Sequence, residues 1–347
     1  MPLQIGYLIM MYTVGLLGTG LFYILHIPLP WILGPLIAIF TLNSFIKPSL
    51  HQSKSLLQWS FLITGAQIGT NFTEDTLAQV LPYFIPFLLM TVILVFICIK
   101  SGEWMAQYAE IDRTTGILGS VPGGLSVMLE ISDSVKANTG MVAIFHTIRL
   151  MSVLMLVPML VMFLFTPEQS GGISSEEVIP LNGWTIALFI ALFGLAYLVR
   201  FKMPAPFVLI PMFIIAILRI ISIPVSDVPI EIYHVAQLSI GIHLGLSISF
   251  SDFKTIGRYS FLFFLFSTAL IAISALFGYL LSLWSSLTFA TAMLSLAPGG
   301  LVEMAITAHE VNADPAIVGS LQLIRMLFIS LILPFVLKKV FTQHSSQ

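Results

Sequence analysis

Ser120-Val121-Pro122-Gly123-Gly124-Leu125-Ser126-Val127-Met128-Leu129-Glu130 breaks an apolar run that extends from Thr114 to Ile131. A second copy, Ala297-Pro298-Gly299-Gly300-Leu301-Val302-Glu303-Met304, breaks the run from Leu287 to Ala308. Proline lacks the N–H that a helix needs, and paired glycines accept backbone angles that other residues resist, so each stretch predicts a helix break. At membrane depth, non-helical backbone survives only where protein buries it or where it lines a wet cavity. A kinked helix meets the first condition and a binding site meets the second; duplication of the break favours the site.

The chain around these breaks reads as an all-α integral membrane protein. Of its 347 residues, 58% are hydrophobic and only 9% charged, against roughly 25% charged in soluble domains. No Lys or Arg precedes Lys47, so the first run reads as a spanning helix rather than a signal peptide. The net charge is −2 and the 14 Lys and Arg are scattered, which excludes a basic patch for nucleic acid. Cys98 is the only cysteine, so neither an intrachain disulfide nor a Cys-based metal site is expected. The seven histidines show no metal-ligand spacing, and no cofactor is expected.

Apolar runs fall at Leu3–Leu25, Pro30–Ile46, Leu56–Gly69, Leu77–Ile99, Thr114–Ile131 and Ala137–Phe165. Six more fall at Leu181–Val199, Pro204–Ile223, Ile232–Phe250, Ile256–Leu283, Leu287–Ala308 and Ala316–Phe341. Aligning Pro122 with Pro298 gives an offset of 176 (298 − 122), and the same offset pairs Pro30 with Pro206, Pro35 with Pro211, Gly65 with Gly241, Gly69 with Gly245 and Arg149 with Arg325. The expected domains are a first membrane repeat (1–168), a Gly-rich acidic linker (169–180), a second repeat (181–341) and a polar tail (342–347). Gly65, Gly69, Gly241 and Gly245 form GxxxG patterns, which predict close helix packing.

Charge placement sets the expected orientation. If each Pro-Gly-Gly run enters and leaves on one side while the other ten runs cross, Lys47, Lys54, Lys100, Arg113, Lys136 and Arg200 fall on one face, with Lys202, Lys254, Arg258, Lys338 and Lys339. By the positive-inside rule that face is cytoplasmic. Glu74, Asp75, Glu168, Glu176, Glu177, Asp227, Glu231, Glu310 and Asp314 fall on the other. The expectation is two inverted repeats with about ten transmembrane helices, two broken helices or re-entrant hairpins, and both termini cytoplasmic.

Helix N-termini following each break suit an anionic group, through free N–H groups and the positive end of the helix dipole. Candidate substrate contacts are Ser120, Pro122, Gly123, Gly124, Pro298, Gly299 and Gly300. Arg149 and Arg325 join them as cations inside apolar runs, where an unpartnered charge is expensive. Snorkelling to the interface, a salt bridge to Glu130 or Glu303, and contact with an anionic substrate are the three readings for these arginines. Glu130 and Glu303 are candidates for proton or sodium coupling, as are His146 and Gln322, one turn before the arginines; a satisfied core histidine is the simpler reading of His146. No nucleophile or metal constellation points to an enzyme.

The duplicated segments Ser120-Val121-Pro122-Gly123-Gly124 and Ala297-Pro298-Gly299-Gly300 resemble the membrane AbrB family over nearly the whole chain. This family of duplicated membrane domains is unrelated to the soluble DNA-binding protein of similar name. The resemblance implies an inverted-repeat secondary transporter in a bacterial cytoplasmic membrane, embedded in the lipid bilayer, with homo-oligomers left open. The family's substrates are mostly unassigned, and it is the helix N-termini and the two arginines that make a small organic anion the expected substrate. The family is also linked by name to regulation of gene expression, and some members carry an ammonia monooxygenase label that finds no copper ligands here. A membrane regulator that senses a metabolite is the alternative function.

Overall fold

The computed structural model describes residues 2–45, 52–122, 125–164, 182–201, 205–247 and 257–342. Their regular secondary structure is helical. The first half carries α1 (Pro2–Ile24), α2 (Pro30–Phe45), α3 (Lys54–Thr70), α4 (Glu74–Val80), α5 (Phe84–Ala109), α6 (Arg113–Ser120), α7 (Leu125–Ser134) and α8 (Thr139–Leu164). The second carries α9 (Gly183–Val199), α10 (Pro206–Ile220), α11 (Ile230–Leu246), α12 (Arg258–Trp284), α13 (Phe289–Leu296), α14 (Leu301–Glu310) and α15 (Pro315–Thr342). The linker 169–180 and tail residues 343–347 lie outside the described residues, as do Gly123 and Gly124.

Among the described residues, four stretches are long and apolar enough to cross a membrane: Gly6–Ile24, Ala78–Ala109, Thr139–Val161 and Tyr259–Trp284. Shorter apolar helices include Pro30–Ser44, Gly183–Val199, Pro206–Ile220 and Pro315–Ile329. Both Pro-Gly-Gly runs are broken helices, α6 with α7 and α13 with α14. Eight residues at about 1.5 Å rise make α6 and α13 each about 12 Å long, less than half of a roughly 30 Å hydrocarbon layer.

Local chemistry sets the ends. Asp112 caps α6 by accepting from the Thr115 N–H at 2.9 Å, and Thr288, 176 residues on, caps α13 by accepting from Thr291 at 3.2 Å. Lys136 and Asn312, another pair at that offset, take the left-handed conformation just after α7 and α14. Leu29 and Ala205 take it just before Pro30 and Pro206, where proline disfavours the helical region for its predecessor. Positive φ is uncommon outside glycine, so its recurrence at matched positions carries information.

The extent of α5 differs from the sequence reading. The run expected to end at Ile99 continues as α5 to Ala109, because Lys100 and Glu103 pair at 3.0 Å while Met105, Ala106 and Ala109 stay buried. Glu110 then closes the helix with a left-handed turn.

The chain divides into two compact units that cut across its halves. One contains α1–α3 with α4 to Ala78, the end of α8 from Pro158, α9–α11, and Ala305–Ala316. Its helices approach closely at glycines: a Cβ on Gly65 or Gly69 of α3 would meet the Val208 or Met212 carbonyl of α10. In exchange, a Cβ on Gly241 or Gly245 of α11 would meet the Ile32 or Leu36 carbonyl of α2. The other unit contains α5–α7, α8 to Val157, α12, α13, α14 to Met304, and α15 from Ile317. Its core joins Phe87, Leu94 and Cys98 of α5 to Leu118 of α6, Leu296 of α13 and Leu321 of α15.

Candidate functional site

Each break lies in this second unit, and each frees carbonyls that a continuing helix would have bonded. The second helix after each break supplies donors to them. On α8, His146 bonds through Nε2 to the Leu118 carbonyl at 3.0 Å, and Arg149 Nη1 donates to the Val121 carbonyl at 2.9 Å. Arg149 Nη2 donates to His146 Nδ1 at 2.9 Å. A guanidinium can only donate, so Nδ1 is the bare nitrogen and Nε2–H is the donor to Leu118.

On α15 the same arrangement is built from an amide. Gln322 Nε2 donates to the carbonyls of Leu294 at 2.7 Å and Ala297 at 3.2 Å. Arg325 Nη1 donates to Leu296 and Ala297, and its Nη2 donates to Gly299 at 2.6 Å and to the Gln322 side-chain oxygen. Leu118 and Leu294, Val121 and Ala297, His146 and Gln322, and Arg149 and Arg325 all sit one offset apart.

Both arginines are buried, Arg149 at 9% and Arg325 at 6% exposure. Inserting Arg at the centre of a membrane helix costs about 2.5–3.5 kcal/mol on translocon scales. A hydrogen bond to a charged group returns about 1.5–3 kcal/mol, so two or three such bonds offset that cost. The cations also face the negative ends of the α6 and α13 dipoles.

Among the described residues neither guanidinium pairs with a carboxylate; the ion pairs found there are Lys100–Glu103, Arg113–Glu103 and Arg219–Asp227. The Glu130 side chain lies outside the described residues. Arg149 Nε is buried with no hydrogen-bond partner. Both guanidinium groups act electrostatically on Cys98, a buried thiol that the sequence marked only as a lone cysteine, and Arg149 acts on Arg325.

The remaining candidates divide between the breaks. Ser120 is buried and donates to the Gly116 carbonyl of its own helix at 2.8 Å. Pro122 is half-buried, Pro298 buried, and Gly299 and Gly300 half-buried. Glu303 lies in the first turn of α14, its carboxylate filling the space a Cβ on Gly300 would take; Met304 does the same for Gly299. No group of three or more His, Cys, Asp or Glu among the described residues could hold a metal ion.

A family model described as transition state regulatory protein AbrB matches residues 2–77 and 31–341. The uncharacterized protein YhjN of Bacillus subtilis (strain 168) is 26% identical over 332 residues, covering 89% of this chain and 86% of that protein. A protein of Escherichia coli (strain K12), named as a candidate regulator AbrB, is 28% identical over 335 residues, 94% of each chain.

Proposed function

The chain belongs to the AbrB family, and from that premise we propose that it is a secondary transporter of a small organic anion, coupled to a proton or a sodium ion. The observation that carries the reading is the duplicated break: two interrupted apolar helices whose carbonyl ends are held by buried arginines one offset apart. Discontinuous helices of this kind let backbone groups face a substrate at membrane depth. The substrate contacts proposed are the break residues, Ser120 to Gly124 and Pro298 to Gly300, together with Arg149 and Arg325. Coupling falls to Glu130 and Glu303, with His146 and Gln322 beside them. No chemical conversion of the substrate is proposed.

The finer architecture belongs to the same proposal. Helix bounds shifted by 176 coincide for α3 with α11, α6 with α13 and α7 with α14. The glycine contacts of α3 on α10 and of α11 on α2 exchange partners as an isologous pair would. Both features support two inverted repeats with ten crossings, two hairpins, and termini in the cytoplasm of a bacterial cell.

Purified protein in vesicles, screened with organic anions under imposed proton or sodium gradients, should accumulate one class of anion only when the gradient is present. A membrane regulator is the second reading, favoured by the name of the Escherichia coli relative. Binding of a metabolite without gradient-driven flux for any anion tested would favour the regulator.

A further inference from the structure

Among the described residues, the side-chain atoms that the α5-containing unit leaves buried without a hydrogen-bond partner are Thr91 Oγ1, Ser132 Oγ, Arg149 Nε and Ser274 Oγ. Each of them can donate, and what they lack together is an acceptor. Ser120, Ser152 and Ser295, buried in the same unit, donate to the carbonyl four residues back. Thr91 and Ser274 do not, although each is 1% exposed. A buried polar group left unbonded costs about 1–3 kcal/mol, so the recurrence calls for a partner.

These donors are related through Cys98. Thr91 lies two turns before it on the same face of α5, and Ser274 holds the equivalent place, one offset on, in α12. Helices α5 and α12 pack against each other. Cys98 shares one core with Val121 and Leu296, whose carbonyls accept from Arg149 Nη1 and Arg325 Nη1. Both guanidinium groups act electrostatically on Cys98, and Arg149 acts on Arg325. No carboxylate among the described residues acts on either arginine, and Glu103 is held by Lys100 and Arg113.

Charge counting then sets the valence of the missing partner. A guanidinium does not deprotonate, so the two arginines bring two positive charges. The carbonyl ends of α6 and α13 that they hold supply roughly −0.5 each. About one positive charge is left over, in a core where like charges repel strongly.

We propose that this core binds one small monovalent carboxylate, which accepts from Arg149 Nε, with Cys98 and the hydroxyls of Thr91 and Ser274 lining the site. Two oxygens let one meet the guanidinium edge while the other meets a hydroxyl, which a single halide ion cannot do. The inference rests on the transporter reading for the role of the arginines and narrows its substrate to a single negative charge.

Cys98 is the only cysteine and is buried, so a fluorogenic maleimide reads unfolding of this core in the full chain with no introduced label. The purified protein in detergent is compared in chloride, acetate and succinate at equal ionic strength and about pH 7.5, where both acids are ionised. Acetate should raise the wild-type midpoint by roughly 2–4 °C over chloride, and succinate should not. Arg149→Lys keeps the charge but lacks the guanidinium Nε, so its midpoint should not respond. General salt effects on apolar burial would move wild type and variant alike, and equal responses overturn the proposal. So does a response to succinate that equals the response to acetate, or none to either. A response that appears only in Glu130→Gln overturns it too, because Glu130 is then the counter-ion of the arginines. Should Arg149→Lys not fold, wild type answers by itself: maleimide labelling of Cys98 below the midpoint should slow as acetate rises, and a rate indifferent to acetate removes the site. Acetate binding without gradient-driven flux of any monocarboxylate in vesicles leaves the site standing and sinks the transporter reading. Gradient-driven flux that is unchanged in Arg149→Lys does the reverse.

Discussion

His146 and Gln322 do one job with two chemistries. Each donates to the carbonyl at the equivalent place on the short helix before the break, and each accepts from the arginine one turn later. The amide has no proton to exchange near neutral pH, yet it serves, so the bonding pattern rather than titration explains the position. His146→Gln should therefore keep both the unfolding midpoint and flux. His146→Leu strands the Leu118 carbonyl and an Arg149 donor, and should cost about 1–3 kcal/mol for each stranded group. A His146→Gln protein that folds normally but loses proton coupling would instead make His146 a proton carrier. The arginines allow a graded comparison: among the described residues, Arg325 reaches three carbonyls and an amide, whereas Arg149 reaches one carbonyl and an imidazole. Lysine keeps the charge but loses the planar fork, so Arg325→Lys should lower the midpoint further than Arg149→Lys. The sequence disclosed both arginines as buried cations, because they interrupt apolar runs. It did not disclose their partners, because backbone carbonyls carry no residue signature. The signal was the break itself, which frees carbonyls that need donors.

At the scale of the helices, glycine separates into two roles. Gly241 of α11 and Gly65 of α3 lie against neighbouring backbone, where a methyl group would collide with the Ile32 or Val208 carbonyl. Gly194 of α9 and Gly20 of α1 face open space, with nothing within 4 Å of an added Cβ. Helical glycine otherwise costs about 0.5–1 kcal/mol relative to alanine. Gly194→Ala and Gly20→Ala should thus leave the midpoint unchanged or raise it, while Gly241→Ala and Gly65→Ala should lower it; thermal unfolding in detergent reads the sign directly. The GxxxG spacing announced close packing, but the partner helix lies in the opposite half of the chain, and spacing cannot name a partner. The same limit applied to α5. Hydropathy ended the run at Ile99, while the helix continued because Lys100 and Glu103 neutralise each other beside buried Met105 and Ala106. Arg219 was likewise counted within an apolar run, yet it lies in the last turn of α10 and pairs with Asp227.

For the molecule as a whole, the sequence halves are not the compact units, since each unit takes matching helices from both halves. Such sharing arises when two copies of one pattern interlock, and it leaves the direction of the second copy to be measured. Tyr108 and Trp284 offer that measurement: they sit one offset apart near the ends of α5 and α12, both exposed at 64% and 81%. Aromatic side chains at helix ends also match the membrane–water interface. Cys98 must first be replaced, and serine is the choice because Ser274 occupies the equivalent place. In that background, Tyr108→Cys should react with a membrane-impermeant maleimide from the cytoplasmic side, since it precedes Arg113 on the Lys- and Arg-bearing face. Trp284→Cys should react from the outside. Reaction of both from one side would make the repeats parallel. Both breaks would then open toward the same compartment, and alternating access by exchange of two inverted repeats would be lost.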